Sequence, residues 1–313
     1  MARLNQTSIA ANAALPGSFT DKVAVLRKIT VPEANTFIGI WYSDFVGQFG
    51  LNEPRKALAV LRYFTQFGST EFAISAFLLR APQITLKEMI KWSKDANEHV
   101  RRLASERSRP RLPWGKRLGF LIEAPEPTRK ILENLRTDDS LYVRKSAANH
   151  LNDISKNHPE FVVKMVGGWD QENPHSSWIS KYALRILIKK ACPPALNLMG
   201  FGRKPKLAEV RLSLEPKTLQ LGERLKLSLE IVSNSSSPQP LLIAYVVHYV
   251  KASGASTPKV FKWKEVTLGP NSSLKLNKQQ SIRYFSTRRH YPSKHRIDVQ
   301  INGQNSTSSS FIL

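Results

Sequence analysis

The residues best equipped for chemistry lie in one run, Arg101-Arg102-Leu103-Ala104-Ser105-Glu106-Arg107-Ser108-Arg109-Pro110-Arg111-Leu112-Pro113-Trp114. It sets one carboxylate and one indole among five arginines. Arginines grip consecutive phosphates, a carboxylate stabilises positive charge developing on a sugar, and an indole lies flat against a base or a deoxyribose. The bland alternative is that Arg102 and Glu106, four apart on a helix, pair at the surface while Trp114 fills a core. Metal chemistry finds no support, because Cys192 is the single cysteine and the seven histidines show no ligand spacing. Neither a GxGxxG stretch nor a Walker loop is present, so no cofactor is expected and ordinary side chains must make the site.

The elements that must position this run are helical. Prolines 32, 54, 82, 110, 127, 159, 174 and 193 punctuate residues 1–203 into segments of helix-pair size. Between Asp139 and Lys156, Val143, Ala147, Leu151 and Ile154 fall on one face, and Tyr142, Lys145, Asn149, Asn152 and Lys156 form a polar stripe on another. The same design recurs from Ala96 to Arg107, with Val100, Leu103 and Ala104 inward. Repeated short amphipathic pairs predict an all-α HEAT-like repeat solenoid. After the Arg203-Lys204-Pro205-Lys206 linker the period shortens to that of strands: Leu225, Leu227, Leu229 and Ile231 alternate with polar residues, as do Ile297, Val299 and Ile301 with Asp298 and Gln300. Residues 204–313 therefore read as a small immunoglobulin-like β-sandwich free of cysteine.

Charge narrows the partner. The chain of 313 residues carries a formal net charge of +23, and both regions are basic, about +13 before Lys206 and +10 from it onward. A polyanion is the expected partner, nucleic acid first. No apolar stretch approaches the roughly 20 residues that span a bilayer, and neither a leader pattern nor a second cysteine appears, so a reducing cytoplasm fits.

The stretches HVRRLASERSRPRLPW (99–114), STEFAISAFLLR (69–80), DDSLYVRKSAANHLNDISKNHPE (138–160) and WISKYALRILIKKACPPALNLMGF (178–201) resemble the AlkC group of DNA alkylation-repair glycosylases, within the HEAT-like AlkC/AlkD superfamily. YVVHYVKASGASTPKVFKWKEVTL and STRRHYPSKHRIDVQING resemble the immunoglobulin-like domain that many AlkC proteins append. Two positions depart from the group: Arg107 stands where a glycine usually follows the ASE glutamate, and Ser75-Ala76 where Arg-Pro commonly follows EFAI.

The resemblance implies hydrolysis of the N-glycosidic bond of bases methylated on a ring nitrogen, chiefly 3-methyladenine and 3-methylcytosine, in double-stranded DNA. It implies a monomer that leaves the lesion largely stacked and yields an abasic site. Active-site carboxylates carry over to Glu71 and Glu106, the aromatic to Trp114, and a further acid lining the cleft to Asp153. DNA-contacting arginines carry over to Arg102, Arg109 and Arg111, with Lys145 of the polar stripe beside them. Trp178 and Tyr182 lie where relatives place an aromatic against the sugar. Arg288 and Arg289, near Tyr284 and Tyr291, are expected to close over the DNA from the second domain. The competing reading is a non-catalytic HEAT-repeat nucleic-acid-binding or scaffold protein. It accounts for the charge but not for an acid enclosed by arginines.

Overall fold

The computed structural model describes residues 2–30, 37–113, 115–284 and 289–313. Fourteen α-helices precede seven strands among them. The helices are α1 (Ala2–Ala14), α2 (Phe19–Lys28), α3 (Phe37–Phe49), α4 (Pro54–Phe64), α5 (Glu71–Arg80), α6 (Pro82–Trp92), α7 (Glu98–Arg107), α8 (Gly119–Glu123), α9 (Arg129–Asn134), α10 (Leu141–Ile154), α11 (Pro159–Gly167), α12 (Pro174–Ala183), α13 (Arg185–Lys189) and α14 (Pro193–Leu198). The prolines mostly begin helices. Pro54, Pro82, Pro159, Pro174 and Pro193 stand at the first helical positions of α4, α6, α11, α12 and α14. A missing N–H costs nothing there, and the fixed φ suits the turn. Asn97 and Asn173 cap α7 and α12 by accepting the backbone N–H of His99 at 2.9 Å and of His175 at 3.0 Å.

Alternate helices stack in a row: α3 packs on α5, α5 on α7, α7 on α10 and α10 on α12. The inward residues read from the sequence are buried, with Val100, Leu103, Ala104, Val143, Ala147, Leu151 and Ile154 at 2% exposure or less. The polar residues of α7 and α10 depart from expectation. Ser105, Glu106 and Arg107 of α7 are as buried as the apolar ones, and so is Asn152 of the supposedly free stripe. The row thus carries a buried polar seam, which must be held together by ion pairs and hydrogen bonds.

The strands are β1 (Leu207–Glu215), β2 (Arg224–Ser233), β3 (Gln239–Val250), β4 (Ser256–Leu268), β5 (Ser273–Ser281), β6 (Lys294–Ile301) and β7 (Gln304–Ile312). They form antiparallel sheets in the orders β1-β2-β5 and β4-β3-β6-β7. This is an immunoglobulin-like sandwich whose core takes Leu225, Leu227, Leu229 and Ile231 from one sheet and Ile297, Val299 and Ile301 from the other. The chain divides into two compact units, residues 1–185 and 186–313. Helix gives way to strand between α14 and β1, close to the 203/204 boundary read from the sequence; α13 and α14 nonetheless group with the strands. The reason is local: Gly303, in the β6–β7 turn, approaches Leu196 and Ala191 so closely that a Cβ there would lie 2.6 and 2.9 Å from their side chains.

Candidate active site

Three acids converge from three helices of the row. Glu71 opens α5, where the exposed N–H groups of the first turn favour a carboxylate. One of its oxygens pairs with the Arg102 guanidinium of α7, and the other accepts the Ser69 hydroxyl. Arg102 also lies over the Tyr142 ring of α10, 4.6 Å from its centroid. Burial opposes the charge on Arg102, but the Glu71 and Glu106 carboxylates outweigh it and hold its pKa above the ordinary guanidinium value.

Glu106 lies one turn beyond Arg102 and is 7% exposed. Its Oε1 accepts Arg109 Nη1 at 2.5 Å and its Oε2 accepts the Ser146 hydroxyl of α10 at 2.7 Å. Asp153, also on α10 and 4% exposed, accepts Arg109 Nε at 2.9 Å and Nη2 at 2.8 Å on Oδ2, and Lys156 Nζ at 2.8 Å on Oδ1. A single planar guanidinium therefore holds two carboxylates with different edges, a task that suits arginine's fork. Glu71 and Arg102 form a one-to-one pair, Glu106 and Asp153 share Arg109, and Lys156 gives Asp153 a second, partly exposed partner; the Arg102 and Arg185 guanidinium groups also lie in the fields of Glu106 and Asp153.

The arginines of the cluster differ in their partners. Arg109, expected to contact phosphate, is 8% exposed and faces the two acids; its charge is taken up inside the protein. The surface pair of Arg102 with Glu106 is replaced by one cross-helix pair and one local pair, because α5 brings Glu71 to Arg102 and the turn after α7 brings Arg109 back to Glu106. Arg101 holds Asp138, and Arg111 donates to Asn157 Oδ1 at 2.9 Å. Arg107 is wholly buried; desolvation pushes it down to about 10, against support from Glu71. Its Nη2 donates to the Lys116 carbonyl at 3.2 Å, and Gly115 leaves room for its head, since a Cβ there would lie 2.7 Å from Nη1. Lys145 is exposed on α10.

On α12, Trp178 and Tyr182 stack with centroids 4.1 Å apart, Arg144 lies 5.8 Å over Trp178, and Tyr182 is 48% exposed. The pair forms an aromatic platform rather than core. Arg289 is exposed in the second unit, whereas Trp114 and Arg288 lie outside the described residues. No group of three or more His, Cys, Asp or Glu that could hold a metal occurs among the described residues, and no helix there is long and apolar enough to cross a membrane.

Sequence reasoning passed over Ser146, His150 and Ser69. The first two had a signal: Tyr142, Ser146, His150 and Asp153 recur at four, eight and eleven residues on one face of α10. His150 is fully buried, and desolvation, then the Arg109 cation, pushes it down to about 3 against a weaker pull from the Ser105 backbone. Unfolded, a histidine titrates near ~6.5. As pH falls below that value the unfolded chain takes up a proton that the native ring refuses, so stability contributed by neutral His150 is full above it and is lost toward pH 3. In urea titrations at pH 7, 6 and 5, His150→Leu is expected to flatten the decline by as much as ~1.4 kcal/mol per pH unit. Equal slopes would show that the native ring takes up its proton over the same pH range as the unfolded chain.

Residues 62–187 match the family model of DNA alkylation repair enzymes, and residues 208–313 match the C-terminal immunoglobulin-like domain of the YhaZ family. The protein YhaZ of Bacillus subtilis (strain 168) is 39% identical over 309 residues, 99% of this chain and 86% of its own length. The alkylpurine DNA glycosylase AlkC of Pseudomonas fluorescens, solved bound to DNA containing an abasic-site analogue, superposes with a TM-score of 0.93 at 43% identity, over 99% of this chain and 87% of that one. A row of short helices joined to an immunoglobulin-like sandwich defines a DNA alkylation-repair protein. The chain belongs to the AlkC-type DNA glycosylase family.

Proposed function

We propose that the protein is a glycosylase that hydrolyses the N-glycosidic bond of cationic methylated bases, 3-methyladenine and 3-methylcytosine, in double-stranded DNA. It acts as a cytoplasmic monomer, without flipping the base, and leaves an abasic site. The observation that carries this reading is the pair of buried carboxylates, Glu106 and Asp153, held on one shared guanidinium. A ring-methylated base bears a positive charge and departs neutral, so no strong general acid is needed. The barrier lies in the oxocarbenium-like sugar, which a fixed, desolvated carboxylate stabilises electrostatically. Glu106 is held by donors from two elements and fills this role first, Glu71 being neutralised by Arg102. Asp153 shares the charge and orients the attacking water.

The remaining residues serve binding in this reading. Trp114 lies against the lesion and adds a cation–π attraction that neutral bases do not elicit. Lys145, Arg102 and Arg111 meet phosphates beside the lesion, Trp178 and Tyr182 offer a face to the sugar, and Arg288 and Arg289 close from the 204–313 domain. A pure phosphate binder would gain nothing from burying two acids beside its arginines.

Single-turnover assays on duplexes bearing 3-methyladenine or 3-methylcytosine test the proposal, with a mispaired uracil duplex as the neutral control. Methylated base is expected to be released and alkali-labile sites to appear, with no uracil released. Tight binding without release from either methylated duplex would overturn it in favour of a binding module.

A further inference from the structure

The second compact unit carries a basic ledge that the site above does not use. From residue 173 to residue 208 the chain contains no Asp or Glu, and from Ile186 onward this stretch holds Lys189, Lys190, Arg203, Lys204 and Lys206. All five are exposed, and among the described residues none is joined to a carboxylate. Some cations elsewhere are paired with acids. Lys56 sits 2.5 Å from Glu53, Lys91 2.7 Å from Glu88 and Lys156 2.8 Å from Asp153, so their fields are largely cancelled at short range.

The ledge is also held still, by residues about a hundred positions away. The β6–β7 turn, Asn302-Gly303, has φ of 49° and 78°, the pair of positive values a two-residue hairpin requires. Gly303 seats this turn against Ala191 and Leu196, at either end of the α13–α14 connection. Asn302 Oδ1 accepts the Leu242 N–H at 2.8 Å, and its Nδ2 donates to the Arg203 carbonyl at 3.1 Å. Gln239, at the start of β3, donates to the Lys206 carbonyl at 2.8 Å and accepts the Lys206 N–H at 2.9 Å. The backbone carrying both halves of the ledge is thereby fastened to one sheet. The irregular chain after α14, with Gly200, Gly202 and Pro205, would otherwise be a flexible linker, and ordering it on contact would weaken any association it made.

We infer that this ledge is a second DNA site, which docks the phosphate backbone of duplex DNA by charge alone. It takes the DNA without regard to sequence or damage, because lysines on a fixed support neutralise phosphates but read no base edge. The inference rests on the proposed action on DNA, and it places docking strength in residues other than those of the carboxylate group. DNA is favoured over an acidic protein by composition: the ledge offers only cations with no apolar centre, and a protein interface of useful strength needs a buried apolar core.

The test is a salt titration of the full chain on an undamaged duplex, comparing the wild type with a variant carrying Gln at all five positions. Each phosphate contact contributes about 0.9 to the slope of log affinity against log salt. The quintuple variant is expected to lose about three to five units of slope and to bind about a hundredfold or more weakly near 0.1 M salt. Its single-turnover excision rate at saturating methylated DNA should stay within about twofold, a limit set by the absence of any ledge residue from the carboxylate group. Gln239→Ala keeps every charge and loosens the support, so affinity should fall while the slope is retained. An unchanged slope and affinity in the quintuple variant would overturn the ledge. So would a loss of saturated rate in a folded variant, which would assign these residues to the catalytic arrangement. Because binding to undamaged DNA is read directly, failure of excision in the wild type leaves the measurement valid and counts only against the glycosylase reading.

Discussion

Glu106→Gln is expected to keep the fold and DNA affinity and to slow excision of 3-methyladenine at least about a hundredfold, as for other groups that stabilise charge developing in a transition state. The substitution preserves shape, and the surroundings accept it. The amide oxygen can still take Arg109 Nη1, now 2.5 Å from Oε1, and the amide nitrogen can donate to Ser146, whose hydroxyl accepts as well as donates. Arg109 keeps Asp153 through Nε and Nη2. What changes is charge: the negative charge of the carboxylate is removed while its shape and partners are kept. Loss should therefore appear in the single-turnover rate at saturating enzyme and not in the dissociation constant for DNA carrying an abasic-site analogue. A loss smaller than about threefold, well under one decade of rate, would move the role to Glu71 or Asp153. A parallel loss of binding would show that Glu106 holds the DNA-facing surface together rather than acting on the sugar.

How much of this was legible in the sequence depends on what each residue faces. Half-buried β2 showed its alternation, because one face meets the core and the other solvent. Strand β3 did not: Leu242 and Val246 are 5% and 3% exposed although they lie on the face opposite Leu241, Ile243 and Tyr245. The helices of the row were readable from their apolar positions, and the run 101–114 was readable as the place where chemistry gathers. The wiring was not. Spacing within α7 favours an Arg102–Glu106 pair, whereas the pairs formed join Arg102 to Glu71, 31 residues back, and Arg109 to Asp153, 44 residues on. A local pattern carries no term for a partner on another helix. Arginines beside an acid therefore read as phosphate ligands until the fold shows which carboxylates claim them. Ser146 escaped for the complementary reason, since a serine in a helix is unremarkable until a carboxylate 40 residues earlier faces it.

Removing Arg109 should have the largest effect on stability of any single change in the site, because it strips the shared partner from two carboxylates that are 7% and 4% exposed. Arg109→Met fills similar volume and is expected to cost about 3–5 kcal/mol in urea unfolding at pH 7, the range for breaking a buried ion pair from one side. Arg109→Lys should fall between, since one ammonium cannot reproduce the contacts that Nη1 makes to Glu106 and Nε and Nη2 make to Asp153. The decisive comparison is a triple variant, Arg109→Met with Glu106→Gln and Asp153→Asn. If Arg109 serves to hold two charges that the reaction needs and the fold does not, neutralising the whole group should recover most of the lost stability, because a buried network replaced entire is often near neutral in cost. Excision should stay at the level of Glu106→Gln or below. A triple variant as unstable as Arg109→Met would show that the guanidinium supports the turn after α7 by packing, and the carboxylates would then owe their positions to Ser146 and the helices alone. Recovery of stability together with activity would remove the charged group from the mechanism.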